Sequence, residues 1–116
     1  MDVTDAYNKI DALNKEAWNI RVSDSNRANS LSREAVKLSD IAHYDKGKAE
    51  GLRTLGFSCI RVSKNAEALN YLEEALRLFK SLNHLEGQSD VYEYIIRIHD
   101  KKDVLHKFIG HVTLVN

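Results

Sequence analysis

Laid over itself with Ala28 on Ala68, the sequence also brings Glu34 onto Glu74, Ala35 onto Ala75, Val36 onto Leu76, Leu38 onto Leu78 and Gly47 onto Gly87. Small residues meet small ones, large apolar residues meet large ones and glycine meets glycine, so one helical element is used twice. An internal period constrains a fold more tightly than any single amphipathic stripe, because each unit leaves an apolar face that only its neighbour can cover. The clearer copy is "NAEALNYLEEALRLF", residues 65–79, in which Ala68, Leu69, Leu72, Ala75, Leu76 and Phe79 share one side of a helix.

Similar stripes run through the rest of the chain. Ala6, Ile10, Leu13, Ala17 and Ile20 predict a first helix ending near Val22; Asp24 or Ser25 is a candidate cap for a second that carries Ala28, Leu31, Ala35, Leu38 and Ala42. "HYDKGK" breaks the pattern around Gly47, the helix-ending glycine of the repeat. Ala49, Leu52, Leu55, Gly56 and Cys59 then carry a third helix to about Val62, and Asn65 is the candidate cap of the fourth. Val91, Tyr94, Ile95 and Ile98 outline a fifth, and Val104, Leu105, Phe108, Ile109 and Val112 a sixth. Proline is absent, glycine occurs five times, and no alternating run or Asn-Gly hairpin signal is present, so the expected class is all-α.

At 116 residues the chain has room for one domain. Within 1–116 the expected units are repeat one at 6–44, repeat two at 48–84, and a partial repeat with a C-terminal cap at 87–116. Seventeen basic residues balance seventeen acidic ones, which argues against nucleic acid or a membrane surface as partner. "MDVTDAYNK" lacks the pattern of a signal peptide, no apolar run reaches the length of a membrane span, and Cys59 is alone, so a reducing cytoplasm is the expected location.

Chemistry finds little purchase. His43 and His84 lie near helix ends, while His99, His106 and His111 are seven and five residues apart, spacings that do not set two rings side by side on a helix as an i, i+4 pair would. Cys59 falls on an apolar stripe, adjacent Glu73 and Glu74 point about 100° apart, and no phosphate-cradling glycine loop or Gly-x-Ser-x-Gly elbow occurs. The expectation is a protein without catalytic activity, cofactor or metal.

Leu52, Leu55 and Gly56, followed by Ala68, Leu72 and Ala75, stand at the spacings of large and small packing residues in the tetratricopeptide repeat family, which the chain resembles over about residues 6–99. The 40-residue period exceeds that family's usual 34 and is similar to variants in bacterial sensory and signalling proteins. In the third unit Ile96 stands where the small residue belongs, and the proline common near the close of such repeats is absent. The resemblance implies an α-solenoid of antiparallel helix pairs, about two full repeats and a partial third, whose first helices line a concave groove.

That groove is expected to display Asn14, Trp18 and Arg21 from helix one, Arg53, Phe57 and Arg61 from helix three, and Glu93 and Arg97 from helix five. Trp18 and Phe57 have two places open to them, the groove or the packing between units. Four arginines on one face suit an acidic segment or a carboxylate, so the leading expectation is a module that binds a protein or peptide ligand. The alternative is a structural module that forms a homodimer through the apolar C-terminal segment "DVLHKFIGHVTLV".

Overall fold

A computed structural model of the chain describes residues 2–100, which form five α-helices and no strand: α1 (Val3–Ile20), α2 (Ser25–Ala42), α3 (Asp45–Arg61), α4 (Asn65–Ser81) and α5 (Leu85–Asp100). The sixth helix and C-terminal cap expected from the sequence lie outside the described residues. No described helix is long and apolar enough to cross a membrane.

Four consecutive helices begin at Ser25, Asp45, Asn65 and Leu85, equally spaced positions, so each repeat divides into two equal helix-plus-turn lengths. Three turns share one chemistry. His43, Ser63 and Asn83 adopt the left-handed conformation, with φ of 54°, 61° and 54°. The next amides, those of Tyr44, Lys64 and His84, donate back to the carbonyls of Ser39, Cys59 and Phe79 at 2.9, 2.8 and 2.9 Å. This six-to-one bond satisfies carbonyls that a helix end would otherwise orphan.

Glycine is therefore not what ends these helices. Gly47 and Gly87 are the third residues of α3 and α5, which corrects their reading as helix terminators. A Cβ at Gly47 would lie 2.5 Å from Ile10 Cγ2 and 2.6 Å from Ser39 Oγ, and one at Gly87 would run into the Phe79 ring. Both mark close approach of one helix to another. Asp24 caps α2 as expected, accepting from the Arg27 amide at 3.1 Å. Asn65 does not cap α4: it is the first helical residue, and Lys64 holds the cap position without a side-chain bond.

Short turns of this kind make sequential helices antiparallel. α3 is the central element, packed against all four others, and 11 of its 17 residues are buried. The backbones of α1 and α5 each come close to that of α3, whereas those of α2 and α4 stay apart, so the odd-numbered helices form the tighter layer. Lys48 at the start of α3 spans the gap between the outer helices, reaching Asp40 of α2 at 2.8 Å and Glu74 of α4 at 3.1 Å. Those two carboxylates raise the Lys48 pKa.

Two kinds of seam hold the layers. Between α3, α4 and α5 the core is large and apolar, with Leu52, Leu72, Phe79, Val91 and Ile98 among its members. Between α2 and α3 it is small: Ser32, Ala35 and Ser39 are at most 1% exposed, and a Cβ at Gly51 would lie 3.2 Å from the Ser32 carbonyl. The serines sit deeper than Leu31 and Leu38, which shifts the α2 stripe by one residue from the apolar pattern. Ala28 and Ala68 occupy matching environments, each fully buried and each donating its amide to a carbonyl four residues back at 2.9 Å.

Candidate functional site

The tighter layer carries a cleft of about 500 Å³, lined by Trp18 of α1 and by Arg21 and Val22 just past its end, from α3 by Phe57, Ile60 and Arg61, and from α5 by Asp90, Glu93, Tyr94 and Arg97. Its floor is aromatic. The Phe57 ring lies 5.3 Å from that of Tyr94 and is tilted to it by 55°; the Trp18 ring lies 6.3 Å from it at a tilt of 54°. Tilted pairs at such separations are among those that aromatic quadrupoles favour.

Guanidinium groups frame these rings. Arg21 and Arg53 lie over the Trp18 ring at 3.7 and 3.8 Å from its centroid. Arg61 stands 5.9 Å from Phe57, and Arg97 stands 5.4 Å from Tyr94. Each is a favourable placement of a cation near a π face, stronger where water is thinned out. Local contacts fix the frame: Arg21 Nη1 donates to the Trp18 carbonyl at 2.6 Å, and Arg53 Nη1 donates to Asp90 Oδ2 at 2.9 Å.

The eight residues expected at a groove divide into three groups. Trp18, Arg21, Phe57, Arg61, Glu93 and Arg97 are brought to one cleft. Arg53 lies behind it, its side chain 11% exposed and committed to Asp90. Asn14 is buried, and its amide nitrogen donates to the Gly47 carbonyl at 2.9 Å; this corrects its assignment to an open surface. An amide inside the seam satisfies a backbone carbonyl that close packing at Gly47 shuts off from water. Trp18 is half-buried and Phe57 buried at 7%, so both rings pack between units while also flooring the cleft.

Charge is unevenly matched. Glu93 pairs with Arg97 at 2.7 Å on the exposed rim, where such a pair contributes little. Among the described residues, neither Arg21 nor Arg61 has a carboxylate at ion-pair distance. Burial raises the pKa of the Tyr94 phenol, and the nearby Arg21 charge opposes that shift. The cleft thus offers flat apolar surface beside cationic, fork-shaped donors.

Val22, Ile60, Asp90 and Tyr94 also line the cleft and were missed by sequence reasoning. Tyr94 belongs by its spacing to the core stripe of helix five, and it does lie there at 5% exposure; nothing in that stripe tells that its ring also faces the cleft. Asp90 carries no sequence signal, since its partner Arg53 is 37 residues away on another helix. Among the described residues, no group of three or more His, Cys, Asp or Glu side chains gathers where a metal could be held. No protein-family model, no curated protein and no solved structure matches this chain.

Proposed function

We propose that the chain is a short α-solenoid of the tetratricopeptide type, and that the cleft across α1, α3 and α5 binds an acidic protein or peptide segment carrying an aromatic or branched side chain. The observation that carries this reading is the pair of guanidinium groups without carboxylate partners among the described residues, Arg21 and Arg61, beside the Trp18, Phe57 and Tyr94 rings. An apolar side chain settles on the rings while ligand carboxylates take paired donors from the arginines, the usual division of labour between anchor and charge. The regular spacing of the helix starts and the tighter odd layer support the solenoid part.

Trp18 is the only tryptophan and lies in the cleft, so its emission is a direct reporter. Peptides of alternating Glu and Leu or Phe are expected to shift that emission saturably, more weakly at high salt, while Lys-for-Glu counterparts do not. Arg61→Glu with Arg97→Glu, both exposed, should remove the response and leave the melting temperature nearly unchanged. A response that survives this double charge reversal, or none from any acidic peptide, refutes the reading. Arg53 and Phe57 are poor choices for such a test, because one is ion-paired and the other belongs to the core.

A further inference from the structure

α3 buries two rows of side chains and α5 only one. The first row is Gly51, Thr54 and Ser58 in α3 and, one repeat later, Val91, Tyr94 and Ile98 in α5, all buried against the preceding helices. The second row of α3 includes Leu52 and Gly56 and lies beneath α4; a Cβ at Gly56 would stand 2.5 Å from Leu72 Cδ2. Its counterparts in α5 are Tyr92 and Ile96, 45% and 57% exposed, with Leu85 at 77% beside them along a groove of about 680 Å³. Apolar side chains in this row have no counterpart of α4 among the described residues.

The sequence holds a matching segment at the matching distance. Helix starts fall at Ser25, Asp45, Asn65 and Leu85, and one further equal interval reaches Leu105. From there Leu105, Phe108, Ile109 and Val112 repeat at spacings that share one helical side. The same displacement that puts Ile96 in the place of Gly56 puts Val112 in the place of Leu72, so a larger residue on one side meets a smaller one on the other. The exchange offsets part of the added bulk: glycine to isoleucine adds four side-chain carbons and leucine to valine removes one.

We propose that the outer face of α5 is the docking site of this chain's own residues 105–115, seated on Tyr92 and Ile96 as α4 is seated on α3. The inference is independent of what the aromatic cleft binds. It gives Ile96, the exposed residue that breaks the small-residue pattern, an apolar partner within the same chain.

The test is a disulfide in the full chain. With Cys59 replaced by Ala, the only other thiol is gone, and Ile96→Cys with Val112→Cys is oxidised at low protein concentration. Bridging requires Cβ atoms roughly 3.5–4.5 Å apart, which the Gly56 to Leu72 geometry matches. The expected product is an internally bridged monomer without free thiol. Ile96→Cys with Lys107→Cys should bridge poorly, because Lys107 takes the place of exposed Glu67. A disulfide-linked dimer would mean that a second copy covers α5, and two free thiols would mean that nothing in this segment does; either result overturns the proposal. Hydrogen exchange in the unmodified chain gives an independent readout: amides of 108–115 should exchange about tenfold or more slowly than in an Ile96→Asp variant. Equal rates in the two proteins also overturn it.

Discussion

Asp90 of α5 holds the Arg53 guanidinium of α3 at 2.9 Å, and from that position the guanidinium lies 3.8 Å over the Trp18 ring of α1. One ion pair thereby ties all three odd-numbered helices together. Its carboxylate is a quarter exposed and its guanidinium nearly buried, so the pair is shielded from salt more than a rim pair such as Glu93 with Arg97. Asp90→Asn is expected to cost about 1–3 kcal/mol, because it leaves a sequestered cation without its acceptor. In a denaturation cycle with Arg53→Met the two changes should be non-additive by about 0.5–3 kcal/mol. Simple additivity would show that the two groups do not act as a unit.

Gly47 is enclosed on three sides, by Ile10, by Ser39 and by Tyr44, whose Cδ2 a Cβ would approach to 2.7 Å. Gly47→Ala should therefore destabilise by about 1–3 kcal/mol, although alanine is the better helix former. The measurement is the urea midpoint. A stabilised Gly47→Ala protein would mean that α1, α2 and α3 do not meet as closely as described.

Ser63 sits at φ 61°, a conformation that costs an L-residue roughly 1–2 kcal/mol and glycine nothing. Ser63→Gly loses some of that gain to the greater freedom of its unfolded chain. A net stabilisation of about 0.5–1 kcal/mol is expected. Thermal melts of Ser63→Gly and His43→Gly should both rise. A fall in both would contradict the shared turn geometry.

Burial raises the Glu50 carboxyl pKa, and the Lys46 ammonium at 3.9 Å only partly offsets this. The folded state then favours the protonated acid, and ionisation costs stability as pH climbs past the unfolded carboxyl value of about 4.3. Glu50→Gln should raise the melting temperature at pH 7 and make no difference well below pH 4. Tyr44 gives the alkaline counterpart. Burial and the 2.8 Å bond to Asp11 hold its phenol far above the usual value. Stability present below about pH 10 is thus lost above it, and Tyr44→Phe should flatten that loss. Parallel pH profiles for the variants and the parent would sink both assignments.

The coincidence of the two repeats made the order of five helices legible, and their apolar stripes located most of the core, because helical periodicity survives in sequence wherever leucine and alanine face inward. What misled was punctuation. His43, Ser63 and Asn83 end helices in a conformation usually given to glycine, while Gly47 and Gly87 lie inside helices where neighbours press closest. Ser32 and Ser39 were invisible for a related reason: at a seam too narrow for leucine, a small polar residue is the buried one. The cleft was half legible. Spacing set Trp18, Phe57, Arg61 and Arg97 on one side of their own helices, but whether those sides converge depends on how α1, α3 and α5 pack, which no local pattern encodes.

The constant interval between helix starts acts as a ruler for permissible changes of length. Removing or adding one such interval would send a helix bred for the inner row to the outer one and turn every later helix end for end. A change of two intervals would keep each successor in its own row and direction. Lineages of such chains are accordingly expected to grow and shrink in whole hairpins, with single-residue slips falling in Arg21–Asp24, the one connection among the described residues that does not keep the common turn.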